Sequence, residues 1–211
     1  METPNCNVVT NLYTASETHP DRQAIILQQQ GKSRSITFKQ LWDKVDSFST
    51  ALIERSIRPG DRIILMIPMS IELYIAMLGV IKAGGVAVFI DPWIGFKQIA
   101  SFCSFANPKG FIGIPKSHLL RLFRKELVRL PLTVSTGHCL FGLPAGWSLA
   151  SFLERPGNGS IFKAAPDDPA LITFTSGSSG VPKGANRTHG FLSSQYEALK
   201  TEFPYEPDDV D

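Results

Sequence analysis

The chain has 211 residues, and 21 Lys and Arg residues against 19 Asp and Glu residues give it a formal net charge of +2. Hydrophobic residues make up 43% of it and charged residues 19%, which is typical of a folded globular protein and excludes a disordered tail. No run of Lys and Arg indicates a nucleic-acid interface, and no apolar stretch approaches the roughly 18 residues of a membrane span.

The cysteines and the N-terminus indicate the cellular compartment. The three cysteines, Cys6, Cys103 and Cys139, form no CxxC pair, so we expect neither a metal site nor a disulfide framework. The N-terminus carries Glu2 and lacks both the basic region and the apolar core of a secretory signal. These features predict a protein of the reducing cytoplasm.

The first quarter of the chain predicts two helices separated by a hairpin. Apolar residues at helical spacing predict a helix over residues 8–18, and Gly31 between two short β-branched runs predicts the hairpin. Thr37 and Gln40 then form a capping-box pattern, which predicts the start of the second helix. This helix should end before residues 58–61, Arg-Pro-Gly-Asp, because Pro and Gly turn the chain.

A strand–helix–strand unit follows. Residues 62–67 are too uniformly apolar for a half-exposed strand and predict a buried parallel one. Residues 71–83 predict a helix ended by two glycines, and residues 86–90 predict a second buried strand. Such βαβ units join into parallel sheets. The predicted fold class is therefore α/β, with mixed or parallel sheets flanked by helices.

The middle of the chain gives weaker signals. We expect helices and strands in alternation, with helices over 96–105, 117–127 and 147–153 and strands over 111–114, 132–135 and 170–174. Residues 155–160 predict an exposed loop. Basic clustering is thin, and the four residues Arg121, Arg124, Lys125 and Arg129 predict one solvated helix face.

Two residue pairs allow more than one interpretation. Asp167-Asp168 is either a metal-binding pair or a turn, and the proline that follows favours the turn. His138-Cys139 suggests nucleophilic catalysis, but no third group completes such a site, which favours buried or loop residues.

A loop rich in hydroxyls and glycines follows the last predicted strand. Residues 175–184 read Thr-Ser-Gly-Ser-Ser-Gly-Val-Pro-Lys-Gly. Glycines let main-chain N–H groups converge, and the hydroxyls and Lys183 supply further donors, so the pattern indicates phosphate binding. Pro182 and Gly184 flank the lysine, which excludes the loop of the nucleotide triphosphatases. The alternative, a flexible linker, does not explain the buried strand before it or the Pro-Lys-Gly end.

Residues 174–184 (FTSGSSGVPKG) resemble the signature of the adenylate-forming, AMP-binding enzymes, which include acyl-CoA synthetases and luciferase-like ligases. The segments Ile-Thr-Phe at 36–38, Arg-Pro-Gly-Asp-Arg at 58–62 and Leu-Gly-Val-Ile-Lys-Ala-Gly-Gly at 78–85 resemble other family motifs in the same order. Asp91-Pro92 extends the last of these. The resemblance implies that the chain is the N-terminal part of the large domain of an acyl-CoA-synthetase-like fold.

The resemblance also implies a reaction and its residues. An acid attacks the α-phosphate of ATP to give an acyl-adenylate and pyrophosphate, and a thiol such as coenzyme A usually takes the acyl group. The expected phosphate-binding residues are those of the signature: Thr175, Ser176, Gly177, Ser178, Ser179, Gly180 and Lys183. His189 stands where many relatives have a histidine near the acyl carboxylate, the alternative being a surface or strand-end histidine.

The sequence departs from the family pattern at two positions. Ser178-Ser179 replaces the more frequent Ser-Thr or Thr-Thr pair and keeps both hydroxyls, whereas Phe191 replaces a common asparagine. The run from Arg187 to Gly190 is somewhat similar to long-chain synthetases and to the β-lactone-forming enzymes of olefin synthesis.

Family members are more than twice as long as this chain. The segments for adenine, Mg²⁺ and ribose, the hinge and the small C-terminal domain are absent, so we expect residues 1–211 to be a partial AMP-binding domain without turnover on its own. Its expected partners are a carboxylic acid and ATP, with Mg²⁺ held outside these residues. The alternative is a naturally short, non-catalytic protein that binds a nucleotide or a partner.

Overall fold

The computed structural model describes most of the chain, in residues 4–29, 31–90, 105–122, 125–137, 146–175 and 183–203. The strands in these ranges are β1 Gln23–Gln29, β2 Lys32–Thr37, β3 Arg62–Met66, β4 Val86–Phe89, β5 Gly110–Gly113, β6 Leu132–Ser135, β7 Trp147–Ser148, β8 Pro169–Thr175 and β9 Lys183–Thr188. The helices are α1 Val9–Thr18, α2 Phe38–Glu54, α3 Ile71–Lys82, α4 Pro115–Leu122, α5 Lys125–Val128, α6 Leu149–Phe152 and α7 His189–Glu202.

Strands β3 to β9 form one sheet in the order β7-β6-β5-β3-β4-β8-β9. Every neighbouring pair is parallel except β8 with β9, so the predicted mixed α/β architecture is confirmed. The βαβ unit is also confirmed, because β3 and β4 pair in parallel with Ile63 beside Ala87 and with α3 between them in the chain. These strands are aliphatic and buried, as expected of a parallel sheet covered on both faces.

The two faces of the sheet carry separate hydrophobic cores. Side chains alternate along a strand, so Ile63 and Leu65 join the core formed with α2 and α3. Ile64 and Met66 point to the other face and join Phe111 in the second core. Burial on both faces fixes the register of β3, because a shift of one residue would exchange the two sets of side chains.

The hairpin and the second helix form as the sequence predicts. Strands β1 and β2 pair antiparallel around Gly31, whose φ of +74° lies in the left-handed region that glycine tolerates. At the start of α2, the Thr37 hydroxyl accepts the Gln40 main-chain N–H at 3.2 Å. The Gln40 side chain accepts the Thr37 main-chain N–H at 3.2 Å in return, which confirms the capping box.

A buried ion pair ties a distant segment to helices α2 and α3. The Lys82 side chain is 0% exposed, and its Nζ lies 2.7 Å from Asp46 Oδ1 and 2.5 Å from the Ser160 carbonyl oxygen. The Gly159 N–H donates to Asp46 Oδ2 at 3.0 Å, and the Phe162 N–H donates to the Lys82 carbonyl at 3.0 Å. Residues 158–162, the strap, are therefore anchored although much of their surface is exposed, as predicted for a loop.

Two sequence predictions are wrong in the middle of the chain. The predicted helix 147–153 is shorter than expected, because Trp147–Ser148 pair with β6 as strand β7 and only Leu149–Phe152 is helical. The Ser148 hydroxyl caps this helix by accepting the Ser151 N–H. Arg121 is 4% exposed and donates to the Leu127 carbonyl at 3.4 Å, so it does not belong to a solvated face.

Some predictions fall largely or wholly outside the described residues. The residues outside the described ranges include most of the predicted helix 96–105, Asp91-Pro92, Cys103, Arg124 and His138-Cys139. No helix in the described ranges combines the length and the apolar character that crossing a membrane requires.

Candidate functional site

The two ends of the signature segment meet at one edge of the sheet. Thr175 is the last residue of β8 and Lys183 is the first residue of β9, and the two are paired across the antiparallel ladder. Residues 176–182 connect them and lie outside the described residues, with Ser176, Gly177, Ser178, Ser179 and Gly180 among them. The structure therefore brings together the backbones of Thr175 and Lys183 and does not test the rest of the predicted phosphate site.

This edge is the one formed by the carboxyl ends of the parallel strands, where ligands bind in open parallel sheets. Strand β8 runs parallel to β4, with Thr173 beside Phe89, so both strands present their carboxyl ends on the same side. Met66 at the end of β3 lies on that side as well, because β3 is parallel to β4. Ligand sites of α/β sheets lie outside the carboxyl ends of the strands, which places the signature segment at the expected edge.

His189 lies at the start of the helix that follows β9. The Thr188 hydroxyl caps this helix by accepting the Phe191 N–H at 3.2 Å. The main-chain N–H of His189 donates to the Asp168 carbonyl at 3.0 Å, and the N–H of Gly190 donates to the Pro166 carbonyl at 2.8 Å. His189 is 1% exposed, so it is not a surface histidine, while its place directly after β9 fits the strand-end alternative.

The imidazole of His189 is bound by the N-terminal segment of the chain. The main-chain N–H of Val8 donates to His189 Nδ1 at 3.2 Å, across 181 residues of sequence. Burial of the ring lowers the pKa of His189 below its ordinary value of 6.5, and the carboxylate of Asp168 opposes that shift. The described structure therefore favours a neutral imidazole at physiological pH.

Residues 5–8, the N-terminal segment, form a network of their own that the sequence pattern does not reveal. Asn7 is 0% exposed, and its Nδ2 donates to the carbonyls of Ile81 at 3.0 Å and Phe162 at 3.1 Å. The Cys6 N–H donates to the Ala164 carbonyl at 3.0 Å. The only sequence signal was two asparagines before a helix, which is typical of an N-cap and of many loops.

Asp168 forms a turn, which confirms the favoured interpretation of Asp167-Asp168. Its Oδ2 accepts the Ala165 N–H at 2.8 Å, and its own N–H donates to the Ala165 carbonyl at 3.2 Å. Among the described residues, no group of three or more His, Cys, Asp and Glu side chains could hold a metal ion.

Helix α7 carries an apolar surface. Phe191, Tyr196, Leu199 and Phe203 are about half exposed, at 52%, 48%, 45% and 57%. Tyr196, Leu199 and Phe203 recur at a spacing of three and four residues, which places them on one side of the helix. A set of large apolar side chains on one helix face is typical of a surface that another element covers.

The fold and the signature position define the class of protein. The family model described as AMP-binding enzyme matches residues 12–210, so the chain belongs to the AMP-binding enzyme family. The resemblance found in the sequence is thereby confirmed.

Individual relatives refine this picture. The olefin β-lactone synthetase of Xanthomonas campestris pv. campestris is 31% identical over 98% of this chain and 38% of its own length. The acyl–CoA ligase YtcI of Bacillus subtilis is 30% identical over 82% of this chain and 31% of its own length. ATP-bound MatB from Rhodopseudomonas palustris shares the fold, with a TM-score of 0.79 at 22% identity over 98% of this chain and 39% of that protein. The chain therefore spans about two fifths or less of the length of these relatives.

Proposed function

We propose that this chain is the N-terminal portion of a ligase that activates a carboxylic acid with ATP. A carboxylate oxygen attacks the α-phosphorus, the bond to the bridging oxygen of pyrophosphate breaks, and an acyl-adenylate forms. A thiol such as coenzyme A then displaces AMP and takes the acyl group. The observation that carries the proposal is the pairing of Thr175 with Lys183 at the carboxyl edge of the sheet.

The signature residues bind the phosphates in this proposal. The ladder brings the two ends of the segment, Thr175 and Lys183, together. In the proposal, main-chain N–H groups, hydroxyls and the lysine charge of this segment bind the β- and γ-phosphates. The residues concerned are Thr175, Ser176, Gly177, Ser178, Ser179, Gly180 and Lys183. Their task is to position the nucleotide and to neutralise its charge, which lowers the barrier to transfer at phosphorus.

His189 is the proposed catalytic residue at the acyl carboxylate. It begins α7 directly after β9, and β9 is the strand that Lys183 opens. Its burial and lowered pKa leave a neutral imidazole, which is able to hydrogen-bond a carboxylate oxygen without carrying a charge.

The remainder of the relatives' length is expected to complete the site. The apolar surface of α7 supports this part of the proposal, because it is the kind of surface that further chain would cover. Residues 1–211 are then a partial AMP-binding domain that binds ATP weakly and does not turn over alone. Mg²⁺ would be held by that further chain, and the cytoplasmic location remains a prediction.

A second candidate reaction is favoured by one comparison. The Xanthomonas relative is named an olefin β-lactone synthetase, and it matches 98% of this chain. A β-lactone is the internal ester of a 3-hydroxy acid, so the proposed acid would carry a 3-hydroxyl group, which attacks the activated carbonyl and displaces AMP. The two reactions are separated by giving a fatty acid or its 3-hydroxy derivative to the protein expressed from its full native coding region. An acyl-CoA formed only with coenzyme A indicates the ligase, and a β-lactone formed without coenzyme A indicates the second reaction.

Binding of tripolyphosphate and ATP to the 211-residue chain tests the phosphate site. We expect Lys183→Ala to weaken binding by roughly ten- to a hundredfold, because a charged hydrogen bond contributes about 1.5–3 kcal/mol. Lys200→Ala, at an exposed lysine of α7, is the matched control and should leave binding unchanged. Equal effects of the two variants would contradict the phosphate role of Lys183. ATP–pyrophosphate exchange by the chain alone would contradict its predicted lack of turnover.

A further inference from the structure

The hydrogen bond between the N-terminal segment and His189 fixes where the imidazole proton lies. A main-chain N–H only donates, so His189 Nδ1 must accept through its lone pair at 3.2 Å from the Val8 nitrogen. A neutral imidazole carries one proton, which must then be on Nε2. Protonating Nδ1 would set two N–H groups against each other at a side chain that is 1% exposed.

The donor is held in place by contacts on both sides of Val8. Asn7 Oδ1 accepts the Val9 N–H at 3.1 Å, while its Nδ2 is bound to the carbonyls of Ile81 and Phe162. The Asn5 side chain accepts the N–H groups of Asn7 at 3.0 Å and of Ala164 at 3.1 Å. The Val8 N–H therefore has a defined direction and is not a group of a loose terminus.

The acceptor is held equally well. The His189 N–H is bound to the Asp168 carbonyl, and the Gly190 N–H to the Pro166 carbonyl. The turn at Ala165 and Asp168 supports both carbonyls. Donor and acceptor thus come from separate stretches of chain that are each fixed by other hydrogen bonds.

We infer that the Val8 N–H is a positioning group that holds His189 in the neutral tautomer protonated on Nε2. Resting on the proposed function, the chemical consequence is that His189 donates its Nε2–H to an oxygen of the bound acid and does not remove a proton from it. The charge of Asp168 favours a second proton on the ring and so opposes this neutral state, but burial of the ring has the larger effect and lowers the pKa of His189.

Long-range ¹H–¹⁵N correlation spectra of the ¹⁵N-histidine-labelled chain, without ATP or acid, test the inference. The two ring nitrogens of a neutral histidine resonate far apart, so the spectra identify the tautomer, and His189→Gln assigns the signal. We expect one tautomer with a lone pair on Nδ1. The readout does not depend on adenylation, so it stands or fails separately from the proposed function.

Two variants at Val8 separate the hydrogen bond from the side chain. Val8→Pro removes the N–H donor and also replaces the side chain, and the φ of −61° at this position is one that proline adopts. Val8→Ala removes most of the side chain and keeps the N–H. We expect Val8→Ala to retain the single tautomer and Val8→Pro to shift the tautomer ratio roughly fivefold to tenfold, as the loss of one hydrogen bond implies.

Two results would overturn the inference. One is an Nδ1-protonated tautomer in the unmodified chain. The other is a Val8→Pro variant that is folded and has an unchanged His189 tautomer. Retention of the His118 signal, which lies far from the substitution in sequence, shows that the variant is folded. If Val8→Pro does not fold, the tautomer of the unmodified chain decides alone.

Discussion

Residues 38–90 and residues 169–202 are organised in different ways. The first region is a continuous run of helix, strand, helix and strand whose side chains supply most of the core on one face of the sheet and part of the core on the other. The second region, β8–β9–α7, is also held from outside, because the distant Val8 and the turn residues Pro166 and Asp168 just before β8 bind the start of α7.

The difference shows how a stable scaffold and a precisely held site are combined. Aliphatic strands and an amphipathic helix stabilise the first region by burying apolar surface, which tolerates some variation in shape. The start of α7 is held by directional hydrogen bonds, which fix the orientation of one imidazole. The following variants act on one region or the other and measure how far they differ.

The largest effect is expected where the strap meets the first region. Lys82→Met leaves the Asp46 carboxylate without its cation beneath the strap, and an unpaired buried charge costs about 3–5 kcal/mol of unfolding free energy. Urea unfolding followed by circular dichroism measures the change. Lys39→Met is the control, since Lys39 pairs with Asp43 on the exposed surface and should contribute at most about 1 kcal/mol. Equal losses in both variants would contradict the buried role of Lys82.

The next effect tests the support of the second region. Asn7→Ala leaves the carbonyls of Ile81 and Phe162 without their donor, which should cost about 2–3 kcal/mol. Amide hydrogen exchange should accelerate in α7, because Val8 of the N-terminal segment binds its start, and at the end of α3, where Asn7 binds Ile81, but less in the rest of α3. Asn11→Ala, at an exposed position of α1, is the control and should change neither. Uniform acceleration across both helices would show that the two regions open together.

The pH dependence of stability separates the histidines. Burial lowers the pKa of both His118 and His189 below 6.5, with Arg121 adding to the shift of His118 and the Val134 carbonyl opposing it. The unfolded chain therefore binds protons first, and the unfolding free energy should fall as pH decreases below about 6.5. The slope is at most about 1.4 kcal/mol per pH unit for each histidine.

His118→Gln removes one of these two contributions. The glutamine amide can still donate to the Val134 carbonyl, which His118 Nε2 contacts at 3.1 Å, but it does not titrate. Unfolding measured between pH 7.5 and 5 should show a shallower slope than in the unmodified chain. An identical slope would mean that His118 does not contribute.

The smallest effect is expected at the start of α2. Thr37→Ala removes the hydroxyl that accepts the Gln40 N–H, and the loss of such a cap costs about 1 kcal/mol. Thr18→Ala, at the exposed end of α1, should change the unfolding free energy by less than about 0.5 kcal/mol. A larger loss at Thr18 would contradict the assignment of the cap.

The first region could be predicted because its signals are local. The capping box at Thr37, the helical stripe of α2 and the aliphatic strands β3 and β4 each lie within a few residues of sequence, and each is confirmed. The position of the signature segment after β8 could also be predicted, since a buried strand leads directly into it.

The second region could not be predicted in the same way. Strand β9 reads Lys-Gly-Ala-Asn-Arg-Thr, a polar edge strand that gains its conformation from pairing with β8 and not from its own pattern. Outside this region, the burial of Arg121 could not be predicted for the same reason, because its acceptor, the Leu127 carbonyl, comes within reach only when α4 and α5 pack together. The bond from Val8 to His189 joins residues that no periodicity connects.

That bond also sets an order of events during synthesis. Val8 leaves the ribosome 181 residues before His189, so at about 5–20 residues per second its partner appears roughly ten to forty seconds later. Phe162, whose carbonyl accepts from the Asn7 side chain, is synthesised 155 residues after Asn7. Residues 7 and 8 thus reach these native contacts only after about 155 to 181 further residues have been made, and the Val8 N–H orients the imidazole of His189 only then.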